Sequence, residues 1–524
     1  MLLLLSTDWM SPPPAQSPAA SRSHRERHEV LWLPHYKYEN IMSNDDDATD
    51  NPLVRSADIT SYLAGFVEDT DFLFFATVSR GFRAAWRQRP TLTRAVAAGR
   101  SPSQLSHSFE CGLSRRRPEI CETAAYIDRL DLLQLARQKY GCPWGERTSS
   151  KAAGCGNLGV LQWLRANGCP WSFLTCSMAA KGGHLQVLMW LHENECRGGS
   201  HTSSSAAEGG HLRVLQWLRA NGCPWDEDTC CFAALGGHLE VLVWARTQGC
   251  KWDSRTCAAA AVGGSLPTLQ WAETNECPRD EQTCEMAARG GHLAILQWAR
   301  TKGFPWDEGT CAGAAFRGCL DILQWARANG CSWNSCTTAS AAASGHLSTL
   351  QWAIANGCPF DESTCESAAG GGYLEVLQWL RENGCRWHEG TCSEAAKSGL
   401  LDILQWARTD GCPWDNGSCA GAAEGGHLEV LQWLRANGCP WNELTCSCAA
   451  DEGHLAVLQW ARANGAPWNE RTCSGAAEGG HLGVLQWARA NGCPWDEKTL
   501  EWARLSCHPE VEAFALANGC PSRS

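Results

Sequence analysis

The chain has 524 residues and a net charge of −12, with 44 Lys plus Arg against 56 Asp plus Glu; the broad basic footprint of a nucleic-acid binder is missing, so the sequence predicts no nucleic-acid partner. No apolar run approaches the roughly 18 residues of a membrane span, and the opening MLLLLS is too short and too uncharged upstream for a secretion signal, so the expectation is an intracellular protein, cytoplasmic or nuclear, with no membrane partner. A single core stops growing at about 250–300 residues, which leaves several domains or an elongated array.

Residues 1–50, with SPPPAQSPAASRSHRERH and NDDDATDN, are rich in Pro, Ser and charge and are predicted to be disordered. Residues 51–100 then turn apolar. Ile59, Tyr62, Leu63, Phe66, Leu73, Phe74, Val78, Phe82 and Trp86 recur at three- and four-residue steps, which predicts two or three short helices. The run Ile59 to Leu63, the turn Asp71 to Phe74 and the segment Val78-Ser79-Arg80 to Arg83 are similar to an F-box, although its Leu-Pro entry is represented only by Pro52-Leu53 in inverted order. That resemblance implies docking to the linker of a cullin-type ubiquitin ligase through Ile59, Leu63, Leu73 and Val78. The other reading is a helical cap that closes the array that follows.

From there to residue 521 the sequence repeats. The Trp of "QW" recurs as Trp163, Trp190, Trp217, Trp244, Trp271, Trp298, Trp325, Trp352, Trp379, Trp406, Trp433, Trp460 and Trp487, always 27 residues apart, with weaker copies at Leu135 and Phe514. A fixed period of this length signals stacked units, each needing its neighbours to bury its apolar face. Within a unit, Asp226 is a good N-cap for EDTCCFAAL, which Gly236-Gly237 can stop. A second helix, LEVLVWARTQ, runs from His238 to Gly249. The unit is therefore a helix-turn-helix. A leucine-rich repeat would need an L-x-L strand, and none appears.

Thirteen of the 31 cysteines precede the "PW" phrase or its equivalent, and eleven sit in "TC" or its equivalent. The total is odd and several units lack one member, Phe304 and Ala466 replacing the first type and Ser203 and Leu500 the second. This reads as a core of free thiols rather than a disulfide framework. Cys176 with His184 and Cys230 with His238 repeat a C-x7-H spacing; that is not a usual zinc pair and no second pair joins it, so no metal or other cofactor is expected. The stretch Cys196–Gly210 has Gly198 in place of the loop Trp and Ser203 in place of the core Cys, two anchors lost together.

The string TCxxAAxGGHLEVLQWLRANG resembles the ankyrin repeat, with Cys176 in the place of that family's core Leu and Cys196 in the place of the Ala after its second helix. The ankyrin period is about 33 residues. The missing six fall between the loop Trp and the next "TC", where ankyrins carry a β-hairpin. The resemblance implies an all-α, ankyrin-like, hairpin-less solenoid of about 15 units over 101–521, presenting a long concave surface to a protein.

In such a stack the loop Trp residues (Trp144, Trp171, Trp225, Trp252, Trp306) can cover helix ends left bare by the lost hairpin; an aromatic cage for a methylated ligand is the alternative. The His column (His184, His211, His238, His292, His346, His427, His454, His481) sits at helix starts and is expected to hydrogen-bond backbone there. The Arg two residues after each helix Trp, from Arg165 to Arg489, reads as a solvated ion-pair ladder with loop acids rather than a phosphate-reading stripe. No nucleophile elbow, P-loop, paired-carboxylate site or dinucleotide fingerprint stands out, so no enzyme is expected.

What remains is the part of the unit that changes from copy to copy. On the first helix, positions equivalent to Asp228, Cys231, Phe232 and Leu235 share a face distinct from the small residues Cys230, Ala233 and Ala234. From Leu174 to Phe316 that face is apolar: Leu174, Met178, Phe232, Leu235, Val262, Met286 and Phe316, with Arg289 at its edge. Further on it turns acidic at Glu424, Asp451 and Glu478. The sequence thus predicts a monomeric scaffold that binds a protein partner on this strip, with ubiquitin-ligase components as partners if the F-box-like segment acts as one. Packing of the same side chains against neighbouring helices is the competing reading.

Overall fold

A computed structural model describes residues 102–110 and 115–522; the 1–50 tail and the F-box-like segment, with Ile59, Leu63, Leu73 and Val78, lie outside the described residues. After a helix at Pro102–Glu110 come fifteen consecutive helix pairs, from the pair opened by Glu119–Tyr126 to the pair Glu497–Leu505 and Pro509–Ala517, with no strand among the described residues. The array is an all-α solenoid. Phe514 falls in a second helix in register with the Trp column, whereas Leu135, 28 residues before Trp163, opens a π-helical turn at Leu135–Lys139.

The pair Glu227–Leu235 and Leu239–Thr247 shows how a unit is built. Thr229, Cys230, Ala233 and Ala234 of the first helix are fully buried. Because these side chains are small, successive first helices pack along their whole lengths, whereas second helices of neighbouring units barely meet. Second helices bury Val241, Leu242 and Ala245 and keep Trp244 half-buried.

First helices start at Asp or Asn in most units, and the side chains of Asp253, Asp307, Asn334, Asp415, Asn442, Asn469 and Asp496 accept from the backbone N–H two residues on. Asp226 takes the position without making that bond. The Thr before the core position forms a buried column that sequence reasoning passed over; in four units its hydroxyl accepts from the N-cap N–H, as Thr202 does from Gly199 at 3.2 Å.

The paired glycines serve two purposes. Gly237 takes the positive φ (71°) that ends the helix. Gly236 has an ordinary φ of −72°; it is there because a Cβ would lie 2.6 Å from the Glu208 carbonyl oxygen and 2.5 Å from the His238 ring. That ring locks each unit to the one before: Nε2 of His184, His211, His238, His292 and His454 donates to the carbonyl ending the preceding first helix, at 3.0–3.2 Å. The expected backbone role of the His column is what the structure shows, with the acceptor in the neighbouring unit.

The described cysteines are core, apart from exposed Cys336 and Cys507 and a few half-buried ones. Loop thiols cap the turn, as when Cys250 Sγ donates to the Asp226 carbonyl at 3.2 Å and Cys439 Sγ to the Asp415 carbonyl at 3.2 Å. Burial pushes the Cys121, Cys284 and Cys446 thiols up to about 12, so they stay protonated and are poor nucleophiles at neutral pH. The core and loop thiols of a unit meet in the interior, as at Cys176 and Cys196 with sulfurs 3.1 Å apart and at Cys365 and Cys385 with Cα atoms 6.9 Å apart. Ser203 is not a lost anchor: its hydroxyl donates to the Pro224 carbonyl at 2.8 Å, as Ser149 and Thr338 do to Pro170 and Pro359. Among the described residues no three His, Cys, Asp or Glu side chains converge as metal ligands, and no helix is long and apolar enough to cross a membrane.

Candidate recognition surface

Along the loop edge the repeated Trp and Arg are used by the fold. Each loop indole lies under the guanidinium of the preceding second helix and, from Trp144 to Trp468, against the helix Trp of its own unit. Arg219 stands 4.2 Å from the Trp225 ring and Arg300 4.1 Å from Trp306, while Trp225 meets Trp244 edge-on at 5.8 Å and Trp306 meets Trp325 at 5.9 Å. The same guanidinium donates to a loop carbonyl, Arg219 to Cys223 at 2.9 Å and Arg327 to Cys331. The Arg column is therefore a cation–π and carbonyl-capping row, not the ion-pair ladder expected from loop acids; within it, Arg381 also reaches Asp410, at 3.1 Å. Opposite charges were close in sequence, but the Trp six residues on was closer in space. Where an Asn follows the second helix it folds back to the Trp carbonyl at 2.8 Å, as in Asn221 to Trp217, and Gly222 takes the positive φ (75°) after it.

With those residues engaged, the variable first-helix face is left at the surface. Leu174 is 41% and Phe316 38% exposed. Met178, Phe232, Leu235, Val262 and Met286 are half-buried, and Leu235 and Met286 pack partly against the core. Arg289 lays its guanidinium 4.3 Å over the Phe316 ring, so those two strip residues meet directly. Met178 leans on the preceding unit, 3.3 Å from where a Cβ of Gly154 would be. The strip is thus partly core in its middle and open at its ends.

Two further features of this face were not foreseen. Phe173, beside Leu174, is 59% exposed. Ion pairs join successive first helices, Lys181 with Glu208 at 2.8 Å, Arg255 with Asp228 at 2.6 Å and Lys397 with Glu424 at 2.6 Å. Their signal in the sequence is opposite charge one period apart. At the acidic end, burial and then the Glu478 and Glu452 carboxylates push the Asp451 carboxyl above its ordinary value, so negative charge there is crowded.

No protein-family model matches the chain, and no curated protein matches it. Solved structures do. The pentatricopeptide repeat protein PPR10 in complex with an 18-nt psaJ RNA element aligns over 90% of this chain and 93% of its own, at 13% identity and a TM-score of 0.28; PPR10 from maize covers the same shares at 14% identity and 0.26. The ankyrin repeat domain of human ASB11 aligns over 36% of this chain and 99% of its own, at 20% identity and 0.27. Alignments this loose carry no argument about function. The chain is a helical-repeat protein. The exclusion of nucleic acid is withdrawn all the same, because a repeat protein crystallised with RNA stands among the matches; net charge is a sum over the whole chain and does not decide what one face of an array meets.

Proposed function

We propose that the chain is a protein-interaction scaffold holding a protein partner on the variable first-helix face, as its ankyrin resemblance implies. One observation supports this reading: the Asn, Gly, Cys, Trp, Arg and His of the repeated phrase are spent on contacts inside the array, while the positions that change from unit to unit are half-buried or exposed. Leu174, Met178, Phe232, Leu235, Val262, Met286 and Phe316 supply an apolar footing edged by Arg289, and a basic segment of the partner lies towards Asp451 and Glu478, beyond Glu424, which is paired with Lys397. Crowded carboxylates favour a cation and orient it.

The test is capture of the partner from the native cell by the whole chain and by the double variant Leu174→Ser, Phe316→Ser. These two are chosen because they are the exposed apolar members, so their loss should leave the melting temperature within about 1–2 °C, as expected for surface changes. Capture should fall at least about tenfold and weaken with added salt. Unchanged capture with a lowered melting temperature would show that the strip is structural, and recovery of nuclease-sensitive RNA instead of protein would overturn the reading. A second reading, that the chain is the substrate-recognition subunit of a cullin-type ubiquitin ligase, is favoured by the Val78-Ser79-Arg80 to Arg83 pattern and the apolar positions Ile59, Leu63 and Leu73. It requires that a cullin and its linker come down with the whole chain and not with a chain lacking residues 1–100.

A further inference from the structure

The loop-Trp position shows what its surroundings are shaped to hold. Across the array an indole fills it, with a guanidinium 3.8–4.4 Å from one ring face and the helix Trp 5.6–6.2 Å away. Where the Trp is replaced, the Arg changes with it. Phe360 is matched by Ile354. Arg279 is matched by Glu273, 3.8 Å away, and its guanidinium reaches over the Phe304 ring at 5.3 Å. In both units a side chain occupies the place of the indole.

Gly198 breaks this rule. His192 stands where the Arg stands elsewhere and its smaller ring takes over the edge contact with the helix Trp217, while the loop itself sends no side chain into the space that remains beside Gly198. The result is a cavity of about 260 Å³ lined by Leu188, His192, Cys196, Thr202, Trp217 and Asn221 among others. The His192 ring meets Trp217 edge-on at 5.6 Å, so an aromatic wall and an imidazole wall are both in position. The loop cannot close the gap itself: a Cβ at Gly198 would come 2.7 Å from Thr202 Oγ1 and 2.9 Å from its Cβ. An engineered apolar cavity of roughly 150 Å³ takes benzene, and this one has room for a fused pair of rings.

We propose that the cavity beside Gly198 is a binding site for a planar aromatic group of indole size, which takes the place that Trp side chains take in the other units. The array supplies its own template for the ligand. Ring contacts with Trp217 and His192 hold it by the edge and face interactions that hold the resident indoles, and the rim residues His192 and Arg197 are exposed, which leaves the mouth open. The group comes either from a free small aromatic molecule or from a Trp side chain of a partner, and this site does not depend on the first-helix strip.

The test uses the full chain with two probes, indole and N-acetyl-tryptophan amide, followed by calorimetry. Saturable binding with one site per chain is expected; binding of both probes assigns a partner's side chain, and binding of indole alone assigns a free ligand. The double variant His192→Arg, Gly198→Trp restores the array's own pair and should weaken binding by at least about tenfold, whereas Trp441→Gly opens a like gap elsewhere and should add a second site. Since Thr202 crowds position 198 and that double variant can misfold, hydrogen exchange on the unaltered chain gives an independent reading: indole should slow exchange over residues 188–224 and nowhere else. Absence of saturable binding, or protection spread evenly along the array, would overturn the proposal.

Discussion

Replacing Gly236 by Ala is expected to destabilise the array by about 3 kcal/mol, at the upper end of the overpacking range. The position has an ordinary φ of −72°, so no backbone strain is involved. What opposes the methyl is the Glu208 carbonyl of the preceding unit at 2.6 Å and the His238 ring at 2.5 Å, a backbone atom and the side chain hydrogen-bonded to it. Accommodating it means parting two first helices that owe their stability to close approach. Gly483→Ala is the control, since a Cβ there meets nothing within 4 Å in the helix Leu482–Ala490; it should be neutral or stabilise by about 0.5–1 kcal/mol through the unfolded chain. Denaturant melts of the two variants, read at units on either side, distinguish a clash from general intolerance of substitution. Similar destabilisation by both would contradict the assigned role of Gly236.

Phe304→Ala should cost about 3–5 kcal/mol, the range for deleting a buried aromatic side chain. Phe304 is the largest fully buried side chain of the array and stands where other units have a loop Cys. It does so because the same unit has Arg279 in place of the loop Trp, and the Phe304 ring takes up the contact with Trp298, 5.9 Å away. The two positions should therefore be coupled. Phe304→Cys alone should destabilise, Arg279→Trp alone should overfill the site, and the two together should recover part of the loss, with an interaction free energy of about 0.5–3 kcal/mol in a double-mutant cycle. Additive effects would mean that the two departures from the repeat are unrelated.

Comparison of units within one chain carried the fold a long way. The period located the helix pairs, Cys230, Ala233 and Ala234 were recognised as the buried small face, and the His column was assigned to backbone contacts. The misreadings share a cause. Arg219 and Trp225 are six residues apart on either side of a loop, so no helical spacing announces their stacking, and the acids nearby in sequence drew the wrong partner. Gly236 and Gly237 look alike in a string, yet one is required by φ and the other by a neighbour's carbonyl 28 residues earlier. Ser203 looked like a missing core residue until the Pro224 carbonyl supplied its hydrogen-bond acceptor. The apolar strip was legible as variable and apolar, but whether Leu235 faces solvent or the next helix is decided by packing that composition does not encode.

The exposed Gln before each helix Trp marks the rival surface. It recurs as Gln297, Gln324, Gln378 and Gln405, with Gln351 half-buried, and its side chain makes no hydrogen bond among the described residues. Around Gln405 the second helices of neighbouring units leave a cleft of about 400 Å³ with Arg408, Trp414, Trp433 and Asn437 on its walls. A photo-activated cross-linking residue placed in turn at Met178, Phe316 and Ser340 on the first helices, and at Gln324, Gln351 and Gln405 on the second, tests which side of the solenoid meets the partner. Covalent capture of a protein from the first-helix positions, with none from the Gln positions, is the result predicted here. Capture from the Gln positions alone would contradict it, and would show that the repeated surface, not the variable one, does the recognising.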